Sequence, residues 1–388
     1  MICYSIYSIV SLTFLAACIS GEYSSAADNT VRARARDLGI VVGEMKPGKW
    51  NAITDVDGVE VGHTTLIRGG SIRTGVTAIV PHGGNVFREK VPAAVCVGNG
   101  FGKLAGSTQV AELGNIETPI VLTNTLSVGT AVTAVVRYTL SLPGNETVRS
   151  VNAVVGETND GNLNDIRGMH VTQKDVLNTI ETARSGPVGE GSVGAGTGTR
   201  AFGWKGGIGT SSRLVGTGGE MTYTVGVLVQ SNYGGMLDIN GAPFQREMER
   251  ADRGRGDSQS GDGSCMIVVA TDAPLTSRNL TRLARRALFG LARTGSVMSN
   301  GSGDYVIAFS TAYHIPYGGN APVSLPPVIP NNAMTSFFRA AVEAVQEAVY
   351  NSMFMAVTVE GRDGHVARAI PLDEVVRVCK KYNALNRE

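Results

Sequence analysis

Gly261-Asp262-Gly263-Ser264-Cys265-Met266-Ile267-Val268-Val269-Ala270-Thr271-Asp272 joins a glycine turn to an unbroken apolar run. The run from Cys265 to Ala270 is rich in β-branched residues and lacks polar alternation, which predicts a strand covered on both faces. Upstream, Arg253 to Gly263 is polar and glycine-rich, the composition of a mobile surface loop. Ser264 therefore stands where flexible backbone meets rigid backbone.

That position suits a self-cleavage. The Ser264 hydroxyl attacks the Gly263 carbonyl, the acyl group shifts from N to O, and water hydrolyses the ester. Gly263, without a Cβ, leaves its carbonyl open and tolerates the strained backbone that the attack requires. Intramolecular reactions reach effective molarities on the order of 10⁵ to 10⁸ M, so no outside protease is needed. The freed α-amino group, with an ordinary pKa of about 7.7 to 8.0, then deprotonates its own hydroxyl. Taken alone, the same residues also read as an ordinary turn in which Ser264 only starts a strand.

The surrounding chain has 388 residues, 43% of them hydrophobic, enough for a substantial core. Its 34 basic and 33 acidic side chains leave a formal net charge of +1, without the basic stripe that nucleic-acid binding needs. Fifty glycines with no collagen-like period point to tight turns and close backbone approaches in a strand-rich fold. Five cysteines form no C-x-x-C pair, and no two of the five histidines stand at metal-ligand spacing, so neither a zinc site nor a disulfide framework is indicated.

At the amino end, Ile9 to Ala17 resembles the apolar segment of a secretory leader spanning residues 1–26. Leu15-Ala16-Ala17-Cys18 looks like a lipobox, which makes Cys18 a candidate lipid anchor, but Met1 to Ser11 carries no Lys or Arg. Export to the periplasm, with or without lipidation, and a mis-assigned start with a cytoplasmic product both stay open. Arg32 to Arg36 reads as a solvated basic arm. Trp50 to His63 reads as strand and turn, and Gly75–Val80, Ala93–Gly98, Ile120–Asn124 and Asn152–Gly156 as strands. Gly129–Leu140 and Val171–Arg184 have helical spacing.

Glu157 ends the Asn152 strand among polar residues, where it either receives a substrate ammonium or makes a hydrogen-bonded turn. Gly189 to Gly219 is dominated by glycine, yet no Gly-Lys-Ser/Thr occurs at P-loop spacing, so crowded backbone is the better account than a phosphate cradle. Asn232 closes the Tyr223 strand before two glycines and either offers its amide to an oxyanion or makes a turn. Thr276–Thr294 and Ala333–Met353 read as amphipathic helices, and Met355–Glu360 with Arg368–Pro371 as a closing hairpin. Ser302 and Asp304 begin a further strand with the same parity, placed to hold the amine and hydroxyl of Ser264.

Arg36-Asp37-Leu38-Gly39, Asn51 to Val59, Val155 to Gly161, Lys205 to Ser211, Gly263-Ser264 and Gly290 to Gly295, taken together, resemble the L-aminopeptidase/D-amidase/D-esterase and β-peptidyl aminopeptidase family over about residues 32 to 380. The resemblance implies an α+β fold, a four-layer αββα sandwich similar to N-terminal-nucleophile hydrolases but with different connectivity. It implies a large chain of residues 27–263, a small chain of 264–388, and an oligomer of such processed units. Ser264 is then the nucleophile and Gly263-Ser264 the cleavage site. Ser302 and Asp304 assist, Asn232 helps form an oxyanion hole, and Glu157 receives the free amine of a short peptide, amide or ester. No metal or organic cofactor is implied. Family members often carry an aromatic hydroxyl after the glutamate, where this chain has Asn159 and Asn162, and some have glutamate at the Asp304 position. Asn159 is accordingly a candidate substrate-binding residue. The rivals are an acetyltransferase of the ornithine-acetyltransferase type, which shares the fold but uses threonine, and an unprocessed binding protein of the envelope.

Overall fold

The computed structural model describes residues 31–216, 222–251, 263–318, 322 and 324–385. The expected leader with Cys18, and the loop up to Asp262, lie outside the described residues. Eleven strands carry the argument: β1 (Glu60–Arg68), β2 (Ile72–Val80), β3 (Glu89–Gly100), β4 (Leu104–Ala105), β5 (Ile120–Asn124), β6 (Val154–Thr158), β7 (Gly207–Gly216), β8 (Thr222–Asn232), β9 (Gly263–Thr271), β10 (Ser302–Ser310) and β11 (Ile315–Pro316). Four helices cover them: α1 (Val128–Ser141), α2 (Gln173–Glu181), α3 (Ser277–Ala292) and α4 (Met334–Phe354).

Five strands form one sheet in the order β1-β2-β5-β6-β4, and a second sheet runs β7-β8-β9-β10-β3-β11, with Asn115–Ile116 also on β3. The central strand β9 shows why two sheets need four layers. Its alternate residues Met266, Val268 and Ala270 enter the core between the sheets, with Leu122 and Val154 from the other sheet. Cys265, Ile267 and Val269 enter the core beneath α3 and α4. Val135 of α1 and Val176 of α2 cover the outer face of the first sheet. With both faces buried, β9 has no use for polar alternation, and its apolar run is the sequence trace of that position. The αββα sandwich expected from the resemblance is the observed fold.

Several local expectations change. The Arg32–Arg36 arm is not a solvated face: Arg36 pairs with Glu347 at 3.0 Å and Arg34 with Glu190 at 2.7 Å. Within Trp50–His63 the residues Ile53–Asp55 form a 3₁₀ turn rather than strand, because the Asp55 carboxylate accepts the Trp50 and Ala52 amides. Helix α4 is buried all round from Ala340 to Phe354 instead of keeping a wet face. Its Glu343 and Glu347 hold the fully buried Arg213 at 3.2 and 2.7 Å. Burial pushes the Glu347 carboxyl up, but Arg213, Arg36 and Asn51 outweigh it and leave the group below its ordinary value. The closing hairpin forms between Val359–Glu360 and Val366–Ala367, so Arg368–Pro371 falls beyond it.

The glycine run before β8 is crowded backbone, as expected. A Cβ at Gly209 would lie 1.9 Å from the Ala348 carbonyl oxygen and 2.5 Å from the Ser352 nitrogen, so only glycine lets α4 lie this close to β7.

Candidate active site

The site opens where the two sheets diverge, at the start of β9. There Ser264 is opposite Asn232 on the antiparallel β8 and opposite Gly303 on the parallel β10. Register-matched residues on neighbouring strands share a face, so the Ser264 and Asn232 side chains both point between the sheets. Glu157 reaches the same space from the end of β6. Ser264, Asn232, Glu157, Asn159, Lys103 and Arg200 are among the walls of one cavity of about 360 Å³.

Ser264 is 5% exposed and donates its hydroxyl to the Gly263 carbonyl oxygen at 2.6 Å, while the Gly303 N–H donates to the same hydroxyl at 3.3 Å. The Ser264 hydroxyl therefore lies against the carbonyl that a self-cleavage would attack. Gly263 permits this arrangement because a Cβ there would meet the Asn232 carbonyl oxygen at 2.2 Å and Tyr233 Cα at 2.5 Å. Asn232 is clamped by backbone: its Oδ1 accepts the Arg200 N–H at 3.0 Å and its Nδ2 donates to the Asn159 carbonyl at 3.0 Å. One hydrogen of that NH₂ stays available, and an amide so fixed is an oxyanion donor that needs no reorganisation.

Glu157, 2% exposed, accepts the Lys103 N–H at 2.9 Å and the Thr125 hydroxyl, and lies 3.7 Å from the Lys103 ammonium. A buried carboxylate that already attracts an exposed ammonium can take a substrate's ammonium in its place. Sequence reasoning missed Lys103 and Thr125. Nothing local marks them, since they meet Glu157 only through the fold. Asn159 lines the cavity, but its side chain accepts the Gly161 N–H at 2.9 Å in a turn, and it is its carbonyl that serves the site by holding Asn232.

Ser302 and Asp304 share a face, as their parity predicts, but it is not the face of the Ser264 hydroxyl. Asp304 pairs in register with Cys265 and Ser302 with Gly263, so both side chains point toward α3 and α4, on the side where Gly263 has no side chain. In this register they lie on the opposite face of β9 and β10 from the Ser264 hydroxyl. Asp304 is fully buried, and neither of its carboxylate oxygens has a well-formed hydrogen bond among the described residues. Burial raises its pKa to about 6, against which the Ser302 hydroxyl and the Cys265 N–H work.

A serine hydroxyl against its own preceding carbonyl, a side-chain amide held by backbone and a buried carboxylate now stand together on this fold. Residues 51–367 match the model of peptidase family S58. The chain belongs to peptidase family S58. This S58 peptidase is 41% identical to the β-peptidyl aminopeptidase BapA of Sphingosinicella microcystinivorans, over 95% of this chain and 97% of that protein. The PH0078 protein of Pyrococcus horikoshii superimposes with a TM-score of 0.84 at 47% identity, covering 90% of this chain and 99% of that one. The L-aminopeptidase D-Ala-esterase/amidase of Ochrobactrum anthropi superimposes with a TM-score of 0.84 at 39% identity, covering 91% and 99%. That enzyme is described as a prototype of the serine aminopeptidases and a variant of the Ntn hydrolase fold. The S58 chain studied here is accordingly a hydrolase of the serine aminopeptidase class, and nothing favours the acetyltransferase or the silent binding protein.

Proposed function

We propose that this chain cuts its own Gly263–Ser264 bond and then removes a residue with a free amino group, whether β-, D- or small L-, from the amino end of short peptides, amides or esters. In the first stage Ser264 Oγ bonds to the Gly263 carbonyl carbon, the C–N bond breaks, and the hydroxyl proton passes to the departing nitrogen. Water then splits the ester. In the second stage the new α-amine takes the Ser264 proton as the hydroxyl attacks the substrate carbonyl, and hands it to the amine or alcohol that leaves as the scissile bond breaks. Asn232 donates to the developing oxyanion, Glu157 holds the substrate ammonium, and the acyl-enzyme is released by water.

The observation that carries this reading is Asp304: a buried acid without a good partner, in register with Cys265, one residue beyond the nitrogen that cleavage would turn into an ammonium. Its face suits it to the amine, with Ser302 beside it, and leaves the hydroxyl to the cavity. The names of the relatives support the substrate class. By the same reading the mature protein is exported behind its leader and assembles from two-chain units.

Electrophoresis with mass spectrometry tests the first stage. Cleavage gives a carboxy-terminal piece of 388 − 263 = 125 residues beginning at Ser264, and Ser264→Ala stays a single chain. An uncut wild type that hydrolyses amino-acyl p-nitroanilides would remove Ser264 from its role as an amino-terminal nucleophile.

A further inference from the structure

At the end of the second sheet remote from Ser264, three metal-ligand side chains from distant parts of the sequence meet. His82 lies in the β2–β3 connection, Glu89 opens β3, and His314 directly precedes β11, which pairs with β3 through Ile315↔Lys90 and Pro316↔Glu89. One ligand atom from each lies within 4.8 Å of the others, and the two imidazole centroids are 4.5 Å apart. Gly100, at the far end of β3, pairs with Gly303 beside Ser264, so the cluster is roughly 35 Å from the nucleophile at strand rise.

The hydrogen bonds set the tautomer. His82 Nε2 donates to the Glu89 carbonyl at 2.8 Å, which leaves Nδ1 with its lone pair, now taken by the Gly84 N–H at 3.1 Å. A backbone carbonyl on one ring nitrogen commonly orients the other toward a metal. Gly84 keeps the intervening space open. A Cβ there would lie 3.1 Å from both His82 Nδ1 and Glu89 Oε2. From the other side, His314 Nδ1 is 3.8 Å from that same Glu89 oxygen.

We propose that His82, Glu89 and His314 form a zinc site. Two imidazoles and a carboxylate are a donor set that Zn²⁺ favours, with solvent as the fourth ligand on the open side. Glu89 and His314 are exposed enough to draw in, and the weak Gly84 bond to Nδ1 is what the ion displaces. The site stands independently of the hydrolytic reading. Only one consequence rests on it: after a cut at Gly263, His82 and Glu89 belong to the large chain and His314 to the small one, so the ion clips the two together.

The test is calorimetric titration of untagged, chelator-stripped full-length protein with Zn²⁺, paired with thermal melts, on both the wild type and Ser264→Ala. We expect one saturable equivalent per chain with micromolar or tighter affinity and a raised Tm. His314→Ala and Gly84→Ala should each weaken binding by about tenfold or more, with hydrolysis by the wild-type background unchanged as the check on folding. The absence of a saturable site in wild type overturns the proposal. So does an affinity that stays the same in both His314→Ala and His82→Ala, which would put the ion elsewhere.

Discussion

Asp304→Asn, made in the uncut Ser264→Ala background, should stabilise the protein at neutral pH. Asp304 is raised from 3.8 to about 6, with burial as the leading cause. The folded chain therefore binds that proton more tightly than the unfolded chain, and stability falls as pH rises from about 4 to about 6 and stays at the lower level above. That displacement corresponds to about 3 kcal/mol at pH 7.5, shrinking to well under 1 kcal/mol at pH 4, where the folded carboxyl is already neutral. Asparagine imitates the neutral acid, so the variant should exceed its parent by up to about 3 kcal/mol at pH 7.5 and by well under 1 kcal/mol at pH 4. Urea unfolding at the two pH values measures both differences. If the wild type is processed as proposed, Asp304 faces the Ser264 ammonium, so there the sign should reverse and kcat should fall with the substitution. If Asp304→Asn destabilises the uncut protein equally at both pH values, the carboxylate is not an isolated charge awaiting a partner, and the argument for the amine fails.

Gly263→Ala puts a methyl group 2.2 Å from one backbone atom and 2.5 Å from another; overpacking of this kind costs about 1 to 3 kcal/mol, and self-cleavage followed by gel should slow accordingly. Glu157→Gln removes the charge that meets a substrate ammonium, so kcat/KM for free-amine substrates should fall by about ten- to a hundredfold, mostly through KM. An unchanged KM in steady-state assays would refute that role. Glu347→Ala strips a buried partner from Arg213 and Arg36 and should cost about 3 kcal/mol or more in denaturant unfolding, far from the cavity and with little change in kcat.

The sequence disclosed what depends on one strand at a time. The apolar run of β9, the serine at its mouth and the glutamate at the end of β6 are local patterns, and each holds in the structure. The parity of Ser302 and Asp304 was equally legible. Which face that parity selects was not, because it follows from the pairing of Cys265 with Asp304, a fact about two strands. Lys103 and Thr125 escaped for the same reason, as their bonds to Glu157 span 54 and 32 residues. The buried acids of α4 broke the amphipathic reading because their countercharges, Arg36 and Arg213, lie in other elements. The resemblance supplied roles that no single stretch could, and the register shows only that Ser264 and Asp304 stand on opposite faces of β9 and β10.

The order β8-β9-β10-β3 carries a last implication. A break before Ser264 assigns the middle pair to the carboxy-terminal fragment and both flanking strands to the amino-terminal one. The second sheet then belongs wholly to neither fragment, and pulling them apart would strip backbone hydrogen bonds along the β8–β9 and β10–β3 seams at once. If the chain is cut there, fragments interleaved in this way are best formed when one polypeptide completes the architecture before the scission.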